Sequence, residues 1–218
     1  MTENQFSLFG DAIPQSTSSK STQPHKDWIG NSRSVVGPLG ASNHSDTERE
    51  INDFYATDPK AAELLIQLED LDHNIYEPAC GQGHLSKVFE AHGFNVKSTD
   101  LIDRGYGIGG IDFLKYQDTF DGDIVTNPPY SLAQEFVEHA LQVVSDGHKV
   151  CMFLKVQFLE GKSRKKLFTE TPPRRVWVSS SRIACIKNGT EVCSAIQAYA
   201  WYVWEKGYHG DPVLKWFN

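Results

Sequence analysis

Cysteine is scarce in this chain, with four residues in 218, and no two of them form a C-x-x-C pair. That spacing argues against a zinc site or a disulfide framework and favours reduced thiols in a cytoplasmic protein. Long apolar runs are missing too: none approaches the ~20 residues that span a bilayer. The N-terminus lacks the basic-then-apolar layout of a secretory signal, so no membrane partner is expected. The eight histidines show no metal-ligand spacing such as H-x-x-x-H, and no metal is expected. Positive charge is also in deficit. With 21 Lys and Arg against 28 Asp and Glu, the net charge is −7, which taken alone argues against a nucleic-acid partner.

The deficit is uneven. Between Lys149 and Lys187 ten Lys and Arg face only Glu160 and Glu170, so that stretch is +8 and the rest of the chain −15. Such asymmetry is expected of a phosphate-binding face on an acidic body. The plainer alternative is a solvated helix over Lys162–Lys166. Lys155, Arg164, Lys165, Lys166, Arg182 and Lys187 are the candidate phosphate contacts, with a nucleic acid as the partner. The polar stretch Ser179–Gly189 is the remaining candidate for reading bases.

Residues 1–47 are rich in Ser, Thr, Gln, Asn, Gly and Pro without a sustained period, which predicts a flexible tail ahead of one domain over 48–218. Within the domain, Pro59–Leu71 has a helical pattern, and strands and helices alternate from Asn74 to Phe168. Leu132–Val144 spaces its apolar residues for one buried helix face. Lys149–Leu154 is almost continuously apolar, as a central parallel strand requires. Arg175–Val178 and Ala195–Trp204 are strand-like and predict an antiparallel hairpin at one sheet edge. The expected fold is α/β, a mostly parallel sheet sandwiched by helices with one reversed late strand. Trp201, Tyr202, Trp204 and Trp216 are candidates for base stacking, but their spacing favours core packing.

Two motifs carry chemistry. Asn127-Pro128-Pro129-Tyr130 follows the apolar run Asp123–Thr126, at the carboxyl end of a strand where α/β sheets place their sites. An Asn carbonyl accepts from an –NH₂ group, two prolines fix the backbone, and a Tyr supplies a stacking face. That set suits a planar amine held with its nitrogen lone pair exposed. Upstream, Asn74–Leu85 runs from a strand into a turn containing Gly81 and Gly83, which permit close approach of a ligand. The third position of G-x-G-x-x-G is Ser86, so a dinucleotide fingerprint is incomplete. A second strand ends in Asp100, about 20 residues beyond the glycines and suited to ribose hydroxyls. Asp112-Phe113 offers an acid and a ring for an adenine.

These residues resemble the S-adenosylmethionine-dependent amino-methyltransferases, and most closely the small DNA adenine-N6 methyltransferases of phages and bacteria. The resemblance covers about residues 50–218 and implies a Rossmann-like methyltransferase sandwich with a mostly parallel seven-stranded sheet. It implies S-adenosylmethionine as cofactor, held by Glu77, Pro78, Ala79, Gly81 and Gly83 in the glycine loop. Asp100 and Leu101 would hold the ribose side, Asp112 and Phe113 the adenine, and Asn127 would border the methyl. Phe54–Pro59 resembles the element that closes over the methionine end, which gives Tyr55 and Thr57 a cofactor role. It departs from the commonest form by Asp58 between Thr57 and Pro59. Asn127, Pro128, Pro129 and Tyr130 correspond to the catalytic loop that receives a flipped adenine. Loops of this type also serve RNA adenine, DNA cytosine N4 and protein glutamine, and a non-catalytic DNA-binding relative is a further alternative. Gln5-Phe6-Ser7-Leu8-Phe9 resembles the peptides by which bacterial DNA enzymes bind the replication sliding clamp, with Phe6 in place of the usual Leu.

Overall fold

Val150–Leu154 are five successive buried apolar residues between two lysines, a composition that is stable as a strand only with both faces covered. They lie near the middle of the main sheet. The computed structural model describes residues 56–181, 185–187, 191–192 and 198–217. In chain order its strands are β1 (Ala56–Thr57), β2 (Asn74–Glu77), β3 (Asn95–Ser98), β4 (Asp123–Thr126), β5 (Lys149–Lys155) and β6 (Arg175–Ser179). After them come β7 (Cys185–Lys187), β8 (Glu191–Val192), β9 (Tyr199–Glu205) and β10 (Val213–Phe217). The helices are α1 (Lys60–Leu68), α2 (Ser86–Ala91), α3 (Ala133–Val143) and α4 (Lys165–Glu170). Gln5–Phe9, Tyr55 and Arg182 lie outside the described residues.

The main sheet has seven strands in the order β10-β6-β9-β5-β4-β2-β3. β9 runs antiparallel to both β5 and β6, and the other pairings are parallel. The fold is therefore an α/β sandwich with one reversed late strand. β6 and β9 pair antiparallel as expected from their sequence. The seventh strand is β10, parallel to β6 at the sheet edge, which the sequence reading did not assign. From β2 the chain goes outward to β3, then returns to β4 on the other side of β2. The crevice at such a reversal, beyond the carboxyl ends of the strands, is where open α/β sheets bind ligands.

Alternation along β9 divides the core. Tyr199, Trp201 and Val203 pack with α1, α2 and Phe153 on one face, while Ala200, Tyr202 and Trp204 pack with α3 and Met152 on the other. Buried indoles need a partner for N–H. Trp201 Nε1 donates to the Ala61 carbonyl and Trp204 Nε1 to the Thr171 carbonyl, both at 2.9 Å. Core packing thus accounts for these aromatics but not for Trp216, which is 64% exposed on β10. Glu69, just past α1, accepts from the Arg175 guanidinium and, at 2.7 Å, from Trp177 Nε1, fastening the helix to β6. No described helix is long and apolar enough to cross a membrane.

The basic stretch differs in detail from a single helix over Lys162–Lys166. Lys162–Arg164 is a tight 3₁₀ turn that opens after Gly161, and α4 begins at Lys165.

Candidate active site

The glycine loop follows β2 directly. Glu77 closes that strand and is only 2% exposed, with Oε2 accepting from the Ser86 N–H at 2.9 Å and from the Ser86 hydroxyl. Ser86 Oγ also meets Ser98 Oγ at 2.7 Å. This explains why the third position of the glycine pattern is serine: the side chain is needed to satisfy a buried carboxyl. Glu77 lies beneath the loop and braces its exit into α2 through Ser86. Burial pushes its pKa up to about 8, against the opposing hydrogen bonds from Ser86.

A pH dependence follows. In the unfolded chain Glu77 ionises near its ordinary 4.5, whereas in the folded protein it keeps its proton to about 8. The folded state therefore holds more protons across that window, and stability falls as pH rises through it. Glu77→Gln is expected to flatten the slope, raising the urea midpoint at about pH 8 relative to wild type and changing it little at about pH 5. Parallel slopes for the two proteins would show that Glu77 is already ionised.

Gly81 and Gly83 have φ of 56° and 76°, left-handed values that favour glycine. A Cβ on Gly83 would lie 2.5 Å from the Tyr106 ring. That ring covers the loop from the segment after β3, with its hydroxyl donating to Glu90 at 2.8 Å and Lys87 Nζ 4.9 Å from its centre. Tyr106 was not singled out from sequence; its flanking glycines, Gly105 and Gly107, were the available signal. Cys80 is buried beside the same segment, and burial raises its thiol to about 12, so it is a space-filling residue rather than a nucleophile.

Asp100 lies next to this loop. Its Oδ2 accepts from the Gly81 N–H and its Oδ1 from the Ile102 N–H, both at 2.8 Å. A carboxylate oxygen accepts two hydrogen bonds, so each Asp100 oxygen keeps acceptor capacity beyond these contacts. Leu101 is 56% exposed, an apolar surface suited to a purine. Asp112 caps the turn Phe113–Lys115, accepting from the Leu114 N–H at 3.1 Å and pairing with Lys115 at 3.0 Å. Phe113 requires a correction. Its side chain is 2% exposed and turns into the core, with ring centres 5.8 Å from Tyr76, 5.2 Å from Phe136 and 5.0 Å from His139. The 3₁₀ turn sends the acid outward and the ring inward, so the ring is closed to an adenine.

The Asn127–Tyr130 loop leaves the end of β4, across the crevice from the glycine loop. Asn127 is half-buried, and its Nδ2 donates to Thr57 Oγ1 at 2.8 Å. Thr57 is buried in β1, which places one residue of the expected closing element against the Asn127–Tyr130 loop. Thr126 Oγ1, at the same strand end, is buried with no hydrogen-bond partner among the described residues, a polar atom that a ligand would satisfy. Pro128 is buried, and Pro129 leads into the turn Tyr130–Leu132. Tyr130 is half-buried with its ring centre 6.1 Å from Tyr199, which stacks on Phe153 at 5.2 Å and 13°. Tyr199 is a second residue that sequence did not mark, since only its place in β9 brings it here.

The described cations do not form one patch. Lys155 ends β5 beside the Asn127–Tyr130 loop, with Nζ 5.0 Å from the centre of the Tyr130 ring. Arg164 packs on the Phe158 ring and donates to the Phe158 carbonyl at 2.9 Å and to the Glu160 carbonyl, so its guanidinium is engaged in holding its own loop. Lys165 and Lys166 are exposed on α4. Lys166 lies 3.8 Å from Glu170. Lys165 borders an apolar groove of about 350 Å³ with Phe168, Pro173, Val176 and Pro212. Pro173 and Pro212 precede β6 and β10, at the end of the sheet away from Asn127, so this groove leads away from the crevice. Lys187 belongs to β7, which pairs with β1 through its neighbours Cys185 and Ile186.

No protein-family model and no curated protein sequence matches the chain. Solved structures do. A candidate class I S-adenosylmethionine-dependent methyltransferase from Listeria monocytogenes superposes with a TM-score of 0.55 at 13% identity, covering 78% of this chain and 68% of that one. The methyltransferase subunit of a type I restriction-modification system from Streptococcus thermophilus gives 0.54 at 14%, covering 72% and 45%. The type IIG restriction endonuclease BpuSI gives 0.50 at 15%, covering 71% and 26%. The chain thus spans less than half the length of these two restriction proteins. At such identities the likeness establishes the fold, that of the Rossmann-like S-adenosylmethionine-dependent methyltransferases.

Proposed function

We propose that the protein transfers a methyl group from S-adenosylmethionine to a planar exocyclic amine, and that this amine is N6 of adenine in DNA. The observation that carries the proposal is Asn127-Pro128-Pro129-Tyr130 at the end of β4, facing a glycine loop braced by Glu77 and flanked by Asp100. The donor set fits the cofactor: Asp100 for the ribose, Leu101 and Asp112 for the purine, and the turn at Gly81 and Gly83 for close approach of the remainder. When bound, the cofactor supplies an activated methyl on a sulfonium centre.

The chain's own residues supply the rest. An aryl amine is a weak nucleophile because its lone pair is delocalised into the ring. The Asn127 side-chain oxygen and the Pro128 carbonyl accept the two amino hydrogens and favour a more tetrahedral nitrogen. They also stabilise positive charge as it develops there. With the cofactor held at the glycine loop and Asp100, the chemistry it would supply is its methyl for the amine nitrogen; Asn127 and Pro128 would hold the amine in line, and the surplus amine proton would leave to water. Tyr130 stacks on the flipped base, and Lys155 above its ring meets the adjoining phosphate. Positioning and alignment supply much of the remaining rate.

The test is transfer of labelled methyl to unmethylated duplex DNA, to RNA and to a protein extract, followed by nucleoside and amino-acid analysis. N6-methyladenine in DNA is the expected product. Label as N4-methylcytosine, in RNA, or on protein glutamine keeps the chemistry and moves the substrate. Absence of label from all three overturns the proposal.

A further inference from the structure

Asparagine is an ambiguous catalytic acceptor. Its amide is nearly symmetric in shape, and half a turn about χ2 exchanges a carbonyl acceptor for an –NH₂ donor. A donor facing an amino group repels the group that the site must hold. Something has to hold the amide with its oxygen toward the amine. In this structure Asn127 Nδ2 donates to Thr57 Oγ1 at 2.8 Å across 70 residues of sequence, a contact that fixes the amide plane with the Asn127 oxygen turned away from Thr57.

We propose that Thr57 is the positioning residue that orients Asn127 toward the substrate amine, and that β7 holds Thr57 in place for this purpose. The inference rests on the methyl-transfer reading above and assigns Thr57 a role beyond a cofactor contact. Thr57 is 3% exposed, so water does not compete for the contact. Its backbone is fixed from two sides. β1 pairs antiparallel with β7 in the register Ala56–Ile186 and Thr57–Cys185, and β7 pairs in turn with β8. On the other side, Asp58 lies two residues before α1, with its Oδ1 accepting from the Lys60 N–H at 2.9 Å and its carbonyl from the Ala61 N–H at 2.9 Å. Asp58 between Thr57 and Pro59, the departure from the usual motif, thus anchors the residue beside it. With Thr57 held by a sheet and a helix start, Asn127 is the side chain that conforms. The bonds made and broken in transfer are unchanged; Thr57 sets how often the acceptor is correctly presented.

The experiment compares wild type, Thr57→Val, Thr57→Ala and Thr57→Ser. Valine keeps the shape and removes the oxygen, alanine removes both oxygen and methyl, and serine keeps the oxygen. For each, kcat and KM for DNA, the S-adenosylmethionine Kd by calorimetry without DNA, and the melting temperature are measured. Thr57→Val and Thr57→Ala are expected to lose on the order of 10²-fold in kcat. Their cofactor Kd should stay within about threefold of wild type, and Thr57→Ser should recover the rate to within about fivefold. If Thr57→Val does not fold, the contrast between Thr57→Ala and Thr57→Ser carries the test. The proposal is overturned by normal kcat in the valine and alanine variants, by a loss confined to cofactor Kd, or by a serine variant as slow as alanine. An active wild type with any of these results leaves the methyl-transfer reading standing; an inactive wild type removes both.

Discussion

Asn127→Ala is expected to lower kcat for methyl transfer by at least about 10²–10³-fold while leaving cofactor Kd within about threefold. The reason is the division of labour across the crevice. Cofactor contacts are assigned to Asp100, Leu101, Asp112 and the glycine loop, which belong to β2, β3 and the segments after them. Asn127 leaves β4 and, through Thr57, meets the closing element, so its removal takes away an acceptor that matters most as charge develops on nitrogen. Asn127→Asp is a useful companion. It keeps an acceptor but loses the amide donor to Thr57, and it brings a negative charge beside the catalytic loop. Rapid transfer by the alanine variant would remove Asn127 from the mechanism. Loss of cofactor binding in parallel with kcat would make it a structural residue of the cofactor pocket.

The second large effect is on stability. Glu69→Ala is expected to destabilise the fold by about 3–5 kcal/mol, because it leaves the Arg175 guanidinium largely buried without its carboxylate. Glu69 is 5% exposed and takes three hydrogen bonds, two from Arg175 and one from Trp177. Burial by itself would raise its pKa, but the hydrogen bonds from Arg175 and Trp177 and the Arg175 charge hold it below the ordinary 4.5. A lowered folded pKa gives stability that is present above about 4.5 and is lost as pH falls through the folded value. Glu77 has the opposite sign, so the two carboxyls tilt the stability profile from opposite ends. Urea denaturation at about pH 7 measures the Glu69 effect. A change below about 1 kcal/mol would mean that water replaces the lost carboxylate. The double variant Glu69→Leu/Arg175→Met should recover most of the loss, since an apolar pair removes both desolvation costs.

What sequence disclosed and what it hid have a common physical basis. The glycine loop, Asp100 and the Asn127–Tyr130 loop are local patterns in which a strand, a turn and a chemical group fall within a dozen residues. Short-range backbone rules suffice to place them at strand ends. The Asp112-Phe113 pair failed in one half because neighbours in sequence point apart here: Asp112 caps the 3₁₀ turn while Phe113, its first residue, packs into the core. Tyr106 over Gly83, Tyr199 beside Tyr130 and Thr57 on Asn127 join residues separated by 23, 69 and 70 positions, and no periodicity reports such pairs. β10 was missed for another reason. It presents apolar side chains outward, Val213, Leu214 and Trp216 among them, so its burial does not follow the alternation expected of a half-buried strand. The basic stretch looked continuous by composition, but Gly161, at φ 118°, breaks it and directs Arg164 back onto its own loop.

β9 enters the sheet between β5 and β6, although it is made after both. A ribosome therefore releases a chain in which β6 has no border with the β5-β4-β2-β3 sheet until residues 199–205 emerge. Until then Val150–Leu154 present one unpaired backbone edge, and Phe153 and Met152 lack the aromatic neighbours that cover them in the finished protein. Tyr199, which lies beside Tyr130, arrives with the same strand. Closure of the sheet and completion of the aromatic wall beside Tyr130 are thus one late event, and a nascent chain stalled before it exposes the apolar surface and strand edge typical of aggregation-prone intermediates.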